Sequence, residues 1–236
     1  MRPRRIRLAT AACLALASAG ATAATDPVNP TCPKDLNWST YVQMRLTVET
    51  SNGQRILRAE GQIDEDVPAR LQDALQSNGP VDEIWLRSPG GLARAGNEAG
   101  KIIRKSGIPT RIPNGWACFS ACNFMFMGGA VRFVDQGGLF IVHMFTHLSD
   151  KEAVRSELNK GSDQAIGLIG DVEQDSALLA SEDNDFLIRM GVSRRLLTEV
   201  MYRQNAVADA NNRSTRRCLT QAEVNRYNVA TVPWTG

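Results

Sequence analysis

Histidine is scarce in the 236-residue chain, which contains only His143 and His147. Any site that needs an imidazole must use one of these two, so a histidine-rich metal centre is excluded. If both lie on one strand, four residues separate them by roughly 13 Å, which is too far to share one ion. The sequence also lacks a P-loop lysine and a complete dinucleotide-binding fingerprint. We therefore expect neither a metal nor a cofactor.

Long apolar segments are also missing, apart from one at the N-terminus. The basic start MRPRRIR is followed by the short apolar run LATAACLALASAGATA, whose last three residues have the small-residue pattern that signal peptidase cuts. We predict that residues 1–23 are a cleaved signal peptide, with an uncleaved anchor as the alternative. Residues 24–236 would then be periplasmic or secreted.

Removal of this leader changes the charge of the chain. The full sequence has 27 basic and 25 acidic residues, and the leader holds four basic residues and no acidic one. The mature chain therefore has 23 basic against 25 acidic residues, a net charge of −2. This balance gives no support for binding to nucleic acid or to an anionic membrane. Without a low-complexity linker or a clear repeat, residues 24–236 are predicted to form one domain.

Four cysteines remain after the leader: Cys32, Cys118, Cys122 and Cys218. An even number of cysteines in an exported chain predicts disulfides, and four cysteines allow three pairings. We predict that Cys118 or Cys122 takes part in a disulfide, either with the other or with one of the two distant cysteines. Two alternatives stay open: buried free thiols, and a zinc site, whose usual ligand spacing this sequence does not match.

Strand and helix patterns alternate over the first two thirds of the mature chain. Helical spacing with start and stop signals predicts helices that end at Gly79 and Gly107. The order indicates an α/β fold with helices packed against sheet, and an additional helical segment begins after Asp150. Segments rich in β-branched residues predict strands at 41–50, 55–63, 82–87, 108–113, 131–134 and 139–145.

Two short motifs contain residue types that are suited to a catalytic site. SPGG, residues 88–91, lies between a predicted strand and a helix, where free N–H groups at the helix start favour an oxyanion. WACFSACNFMFMGG, residues 116–129, puts Ser120 between two cysteines and ahead of an apolar run. Taken singly, SPGG is better explained as an ordinary tight turn and His143 as a hydrogen-bonded core residue, and the alternative for Ser120 is a small polar residue in a buried helix.

Together, however, LRSPGGLARAG, CFSAC followed by FMFMGGAVRFV, and GGLFIVHMF resemble the Clp-type serine peptidases, in particular the exported, ATPase-independent ClpP-like proteins of bacteria. The similarity extends from about Gly61 to Phe145 and returns weakly at 218–231. It implies a ClpP/crotonase fold, a right-handed spiral of ββα units. It also implies a homo-oligomer, because members assemble into rings, and no ATPase partner is expected for an exported protein.

The resemblance implies a role for each matched residue. Ser120 would be the nucleophile, His143 the general base, and the backbone N–H groups of Gly91 and Ala121 the oxyanion hole. The implied activity is cleavage of peptide or protein substrates by acyl transfer.

The third position of a triad falls in the segment NAVADANNRSTRR. Asp209 is the candidate there, Asn211 and Asn212 are alternatives, and a Ser-His dyad is a further one. Two other functions stay open. One is a catalytically degenerate protein that keeps the groove to bind peptides, and the other is a crotonase-type enzyme that acts on acyl thioesters.

Overall fold

The computed structural model describes residues 24–146, 151–208 and 214–233, so the predicted leader lies outside it. Among these residues the strands are β1 (Arg45–Ser51), β2 (Gln54–Glu60), β3 (Glu83–Arg87), β4 (Thr110–Ile112), β5 (Ala117–Phe119), β6 (Arg132–Val134), β7 (Leu139–His143) and β8 (Arg216–Cys218). They form a five-stranded sheet of order β1-β2-β3-β4-β6 and a three-stranded sheet of order β5-β7-β8. The predicted mixture of strand and helix is therefore present.

The helices begin and end close to the signals in the sequence. Pro68 lies in the first turn of its helix, where a missing N–H is tolerated, and Gly107 ends the next helix with a left-handed φ of 72°. In the described ranges the helices are α1 (Val67–Ser77), α2 (Ala93–Ser106), α3 (Cys122–Met127), α4 (Lys151–Leu158), α5 (Ser162–Arg189), α6 (Arg195–Glu199), a 3₁₀ helix (Met201–Arg203) and α7 (Gln221–Arg226).

The larger sheet starts with a hairpin and continues with parallel strands. Asn52 and Gly53 connect β1 to β2 with φ values of 50° and 78°, the positive angles that a tight hairpin turn requires. β2, β3, β4 and β6 are mutually parallel neighbours. Parallel strands need crossover connections, and α1, α2 and α3 supply them in turn.

The two sheets meet where β3 ends. Ser88, just after β3, forms a bridge with Cys118 on β5, and the Phe119 N–H donates to the Ser88 carbonyl at 3.1 Å. The chain segment after β3 is therefore fixed beside the carboxyl end of β5. This contact brings the two sequence motifs to one place.

Close packing of α2 on α3 holds the centre of the molecule. All six residues of α3 are buried. A Cβ on Gly96 would lie 2.5 Å from the Ala121 carbonyl oxygen, so glycine is needed where the two helices approach. Arg132, 1% exposed, donates to the carbonyls of Val229 and Asn228 at 2.7 and 2.8 Å and fastens the C-terminal segment to the core.

The helical segment after β7 is only partly buried. Leu179, Phe186 and Leu187 pack the second half of α5 on the core, whereas Ile166 and Ile169 in its first half are exposed. Across the three described ranges, no helix has the length and apolar character needed to cross a membrane.

Candidate active site

Ser120 lies in the sharp turn between β5 and α3. Its φ is 58°, in the left-handed region that residues other than glycine rarely adopt. The side chain is half-buried, so a substrate can still reach it. A serine held in an unfavourable backbone conformation at a strand-to-helix turn is typical of nucleophilic sites.

His143 is the last residue of β7, which runs parallel to β5 with Phe119 opposite Ile141. Because the carboxyl ends of parallel strands meet at one edge, this register puts the residue after β5 next to the end of β7. The distance between His143 Nε2 and Ser120 Oγ is 2.7 Å. A neutral imidazole with Nε2 unprotonated can accept the serine proton in this geometry.

Asn123 connects this serine turn to the histidine strand. The residue is 1% exposed, and its side-chain Nδ2 donates to the Ile141 carbonyl at 2.7 Å. Its backbone N–H donates to the Ser120 carbonyl at 2.9 Å. The sequence interpretation missed this residue, although one polar side chain in the apolar run CNFMFM is a signal for a specific buried partner.

The SPGG turn, residues 88–91, packs directly on the serine. Gly90 has a φ of 90°, and a Cβ there would lie 2.6 Å from Ser120 Cβ and 3.1 Å from the Ala121 nitrogen. Only glycine fits at this position. The structure therefore brings together two motifs that are thirty residues apart in the sequence.

Two backbone N–H groups next to this contact have no acceptor among the described residues. Those of Gly91 and Ala121 donate to no residue in the part of the chain that the structure describes, whereas the Leu92 N–H donates to the Ile63 carbonyl at 2.9 Å. Unpaired N–H groups close to a nucleophile suit an oxyanion that develops during acyl transfer.

The imidazole of His143 is half-buried. The ring of Phe119 packs against it, with 4.7 Å between the ring centroids. Burial lowers the pKa of His143 below its ordinary value of 6.5, and a hydrogen bond with the Met144 backbone opposes the shift. The ring is therefore neutral at neutral pH, as a general base must be.

The candidates for the third triad position, Asp209, Asn211 and Asn212, lie outside the described residues, as does His147. Within the described ranges no carboxylate hydrogen-bonds to the ring of His143. The same ranges contain no group of three or more His, Cys, Asp or Glu side chains that could hold a metal ion.

The four cysteines among the described residues form two disulfides. Cys118 on β5 pairs with Cys122 at the start of α3, four residues away, and Ser120 lies between them. Cys32 pairs with Cys218 over 186 residues and joins the N-terminal segment to β8. This pairing selects one of the alternatives that the sequence leaves open, and disulfides are compatible with an extracellular or periplasmic protein.

An open groove of about 430 Å³ contains Leu92, which follows the SPGG turn, and Phe145, two residues after His143, but neither Ser120 nor His143 lines it. Apolar side chains from three elements line it: Leu92 and Ala95 at the start of α2, Phe145 just after β7, and Leu179 on α5. A larger groove of about 940 Å³ lies between β1 and α1, but it contains no part of this site.

Comparison with known proteins gives a match at the level of structure. No protein-family model matches the sequence, and no curated protein matches it. A mutant form of ClpP1 from Listeria monocytogenes is similar over 74% of this chain and 88% of its own, with a TM-score of 0.50 and 14% sequence identity. The fold is ClpP-like. The fold that the sequence predicts is thus confirmed, and at this identity the ClpP-like fold is all that the match shows.

Proposed function

We propose that the chain is an exported serine peptidase in which Ser120 is the nucleophile and His143 the general base. The observation that carries the proposal is the 2.7 Å distance between Ser120 Oγ and His143 Nε2 at a left-handed strand-to-helix turn. The chain contains two histidines in all, so a histidine next to a serine at this turn is not expected by chance. The ClpP-like fold supports a peptidase more than a thioester enzyme, as does a compartment that permits disulfides.

In the proposed reaction, His143 takes the hydroxyl proton as Ser120 Oγ attacks a peptide carbonyl. The N–H groups of Gly91 and Ala121 bind the oxyanion that develops. The imidazolium then gives its proton to the leaving amine, and water releases the acyl group by the reverse sequence of proton transfers. The substrate chain lies in the groove beside Leu92.

The proposal also covers the domain bounds, the third triad residue and the oligomeric state. Residues 24–236 form one domain, which signal peptidase separates from residues 1–23. Asp209 is the third member of the triad, with Asn211 or Asn212 as its alternatives. The protein acts as a homo-oligomer without an ATPase partner.

A fluorophosphonate probe tests the proposal directly. The mature wild-type protein should be labelled at Ser120 and should cleave members of a peptide library. Ser120→Ala should lose both reactions and keep its circular dichroism spectrum, because one small side chain replaces another. Full peptide turnover by Ser120→Ala would rule out the assignment.

One observation favours a second candidate, a catalytically degenerate protein that binds peptides. No carboxylate among the described residues orients His143, and an imidazole without such a partner is a weaker base. Under this alternative the wild type would bind library peptides in a fluorescence anisotropy assay, and neither cleavage nor probe labelling would occur. The two assays together therefore separate enzyme from binder.

A further inference from the structure

The small sheet β5-β7-β8 is covered on both of its faces. Side chains alternate along a strand, so Phe140 and Val142 point into the main core while Ile141 and His143 lie on the opposite face. On that opposite face the N-terminal segment packs over the sheet and buries a second, smaller cluster. This cluster contains Cys32, Ala117, Ile141 and Cys218, with Leu36, Trp38, Phe119 and Leu139 packed against it.

Three contacts fix the N-terminal segment to this face. The disulfide from Cys32 to Cys218 fastens it to β8. The Asn37 carbonyl accepts the first N–H of β5 at 3.1 Å. The Asn29 side-chain oxygen accepts the Arg216 N–H of β8 at 3.2 Å. The residues between these points therefore have a defined position relative to His143.

Trp38 is the residue of this segment that faces the site. Its ring stacks on Phe119, with 5.6 Å between centroids and 21° between planes. Phe119 in turn packs on His143 at 4.7 Å and 44°. Phe119 therefore contacts both rings, and its packing on the indole restricts its movement relative to the imidazole.

We propose that Trp38, acting through Phe119, is a positioning residue that holds the His143 imidazole against Ser120 and limits the access of water to it. The inference rests on the proposed function, since it concerns the base of that reaction. A carboxylate usually orients such a ring from its edge. In the described part of this chain, aromatic packing on the ring face provides the orientation.

Two charged groups share this face. Arg216 is opposite His143 in the pairing of β7 with β8 and lies 5.8 Å from the centroid of Trp38. Asp26 binds the Arg216 guanidinium at 2.9 Å. The substitutions below leave both charges in the protein, so a change in the titration of His143 reports the aromatic cover.

Histidine NMR measures the imidazole without any need for turnover. In a His147→Gln background, His143 is the only ring that titrates. Trp38→Ala should move the pKa of His143 upward, toward its ordinary value, because water gains access to the ring. Trp38→Phe should restore most of the wild-type titration, because it keeps an aromatic ring over Phe119.

Kinetics measure the same effect in the reaction. Trp38→Ala should lower kcat about 10- to 100-fold with little change in KM, and the acid limb of kcat/KM should move to higher pH with the NMR titration. Trp116→Ala is the matched control. It removes the same side chain just before β5, where the indole contacts Trp85 at 6.0 Å, and it should leave the titration in place.

His143 titrations that coincide in the wild type, Trp38→Ala and Trp116→Ala would overturn the proposal. If Trp38→Ala does not fold, Trp38→Leu and Trp38→Phe give the same comparison, because leucine keeps apolar bulk and removes the ring. The pKa of His143 could shift in Trp38→Ala although the fluorophosphonate probe does not label the wild type. That result would support the packing role of Trp38 and would rule out only the proposed peptidase activity.

Discussion

Replacement of Cys118 and Cys122 by alanine should slow acylation of Ser120, whereas replacement of Cys32 and Cys218 should mainly destabilise the protein. In the chain-entropy account, a disulfide over four residues stabilises by about 2 kcal/mol, and one over 186 residues by about 5 kcal/mol. The local bond is therefore the smaller contributor to the free energy of unfolding.

The local bond also restrains the backbone conformation of Ser120. A φ of 58° costs a residue other than glycine about 1–2 kcal/mol, and the disulfide joins the two positions that flank Ser120. Without the bond the turn can relax to a more favourable conformation. A difference of about 1–2 kcal/mol corresponds to about a 5- to 30-fold fall in the fraction of molecules that keep Ser120 in its left-handed conformation. The hydrogen bonds of Asn123 to Ser120 and Ile141 remain and limit the loss.

The assay compares Cys118→Ala/Cys122→Ala with Cys32→Ala/Cys218→Ala as the matched control. Non-reducing mass spectrometry first establishes the pairing in the wild type. Rate constants of fluorophosphonate labelling and urea midpoints are then measured for each protein. The first variant should label slowly with a small midpoint shift, and the second should show the larger midpoint shift with near-normal labelling. Equal labelling rates in wild type and the first variant would refute the reasoning, since α3 alone would then hold Ser120.

Three further outcomes are expected. His143→Ala should reduce kcat/KM by several orders of magnitude and His147→Ala much less, and equal losses on one peptide would reverse the assignment. The kcat/KM of the wild type should fall as the pH drops through the pKa of His143, which burial holds below 6.5; an acid limb above that value in a pH–rate profile would contradict this. Gly90→Ala should abolish probe labelling because its Cβ would lie 2.6 Å from Ser120 Cβ, whereas Gly167→Ala, where a Cβ meets no atom within 4 Å, should label normally.

Local patterns predict the larger sheet and its helices, because those elements carry their own signals. The helix α2, for example, has apolar residues at helical spacing and Gly107 at its end. β8 has no such signal, since two of its three residues are arginine and it exists through pairing with β7. α7 does have a local signal, a capping box between Thr220 and Glu223, which our prediction from the sequence did not use.

The candidate site also has a part that the sequence predicts and a part that it does not. Ser120 and His143 follow from motif order in the chain, so the resemblance could name them. The Cys32–Cys218 pairing, the hydrogen bond from Asn123 to Ile141 and the stack on Trp38 depend on strand register and on the path of the N-terminal segment. Neither is encoded in spacing, because each is fixed by contacts between residues far apart in the sequence.

The bond between Cys32 and Cys218 also gives the molecule an order of assembly. A chain made from its N-terminus presents Cys32 long before its partner, 186 residues later, whereas Cys122 follows Cys118 after four. Closure of a short loop is favoured over closure of a long one, so the serine turn is locked early and the N-terminal segment is fastened last. Only a chain completed as far as β8 acquires the covalent bond that fastens the N-terminal segment to the sheet face on which His143 lies.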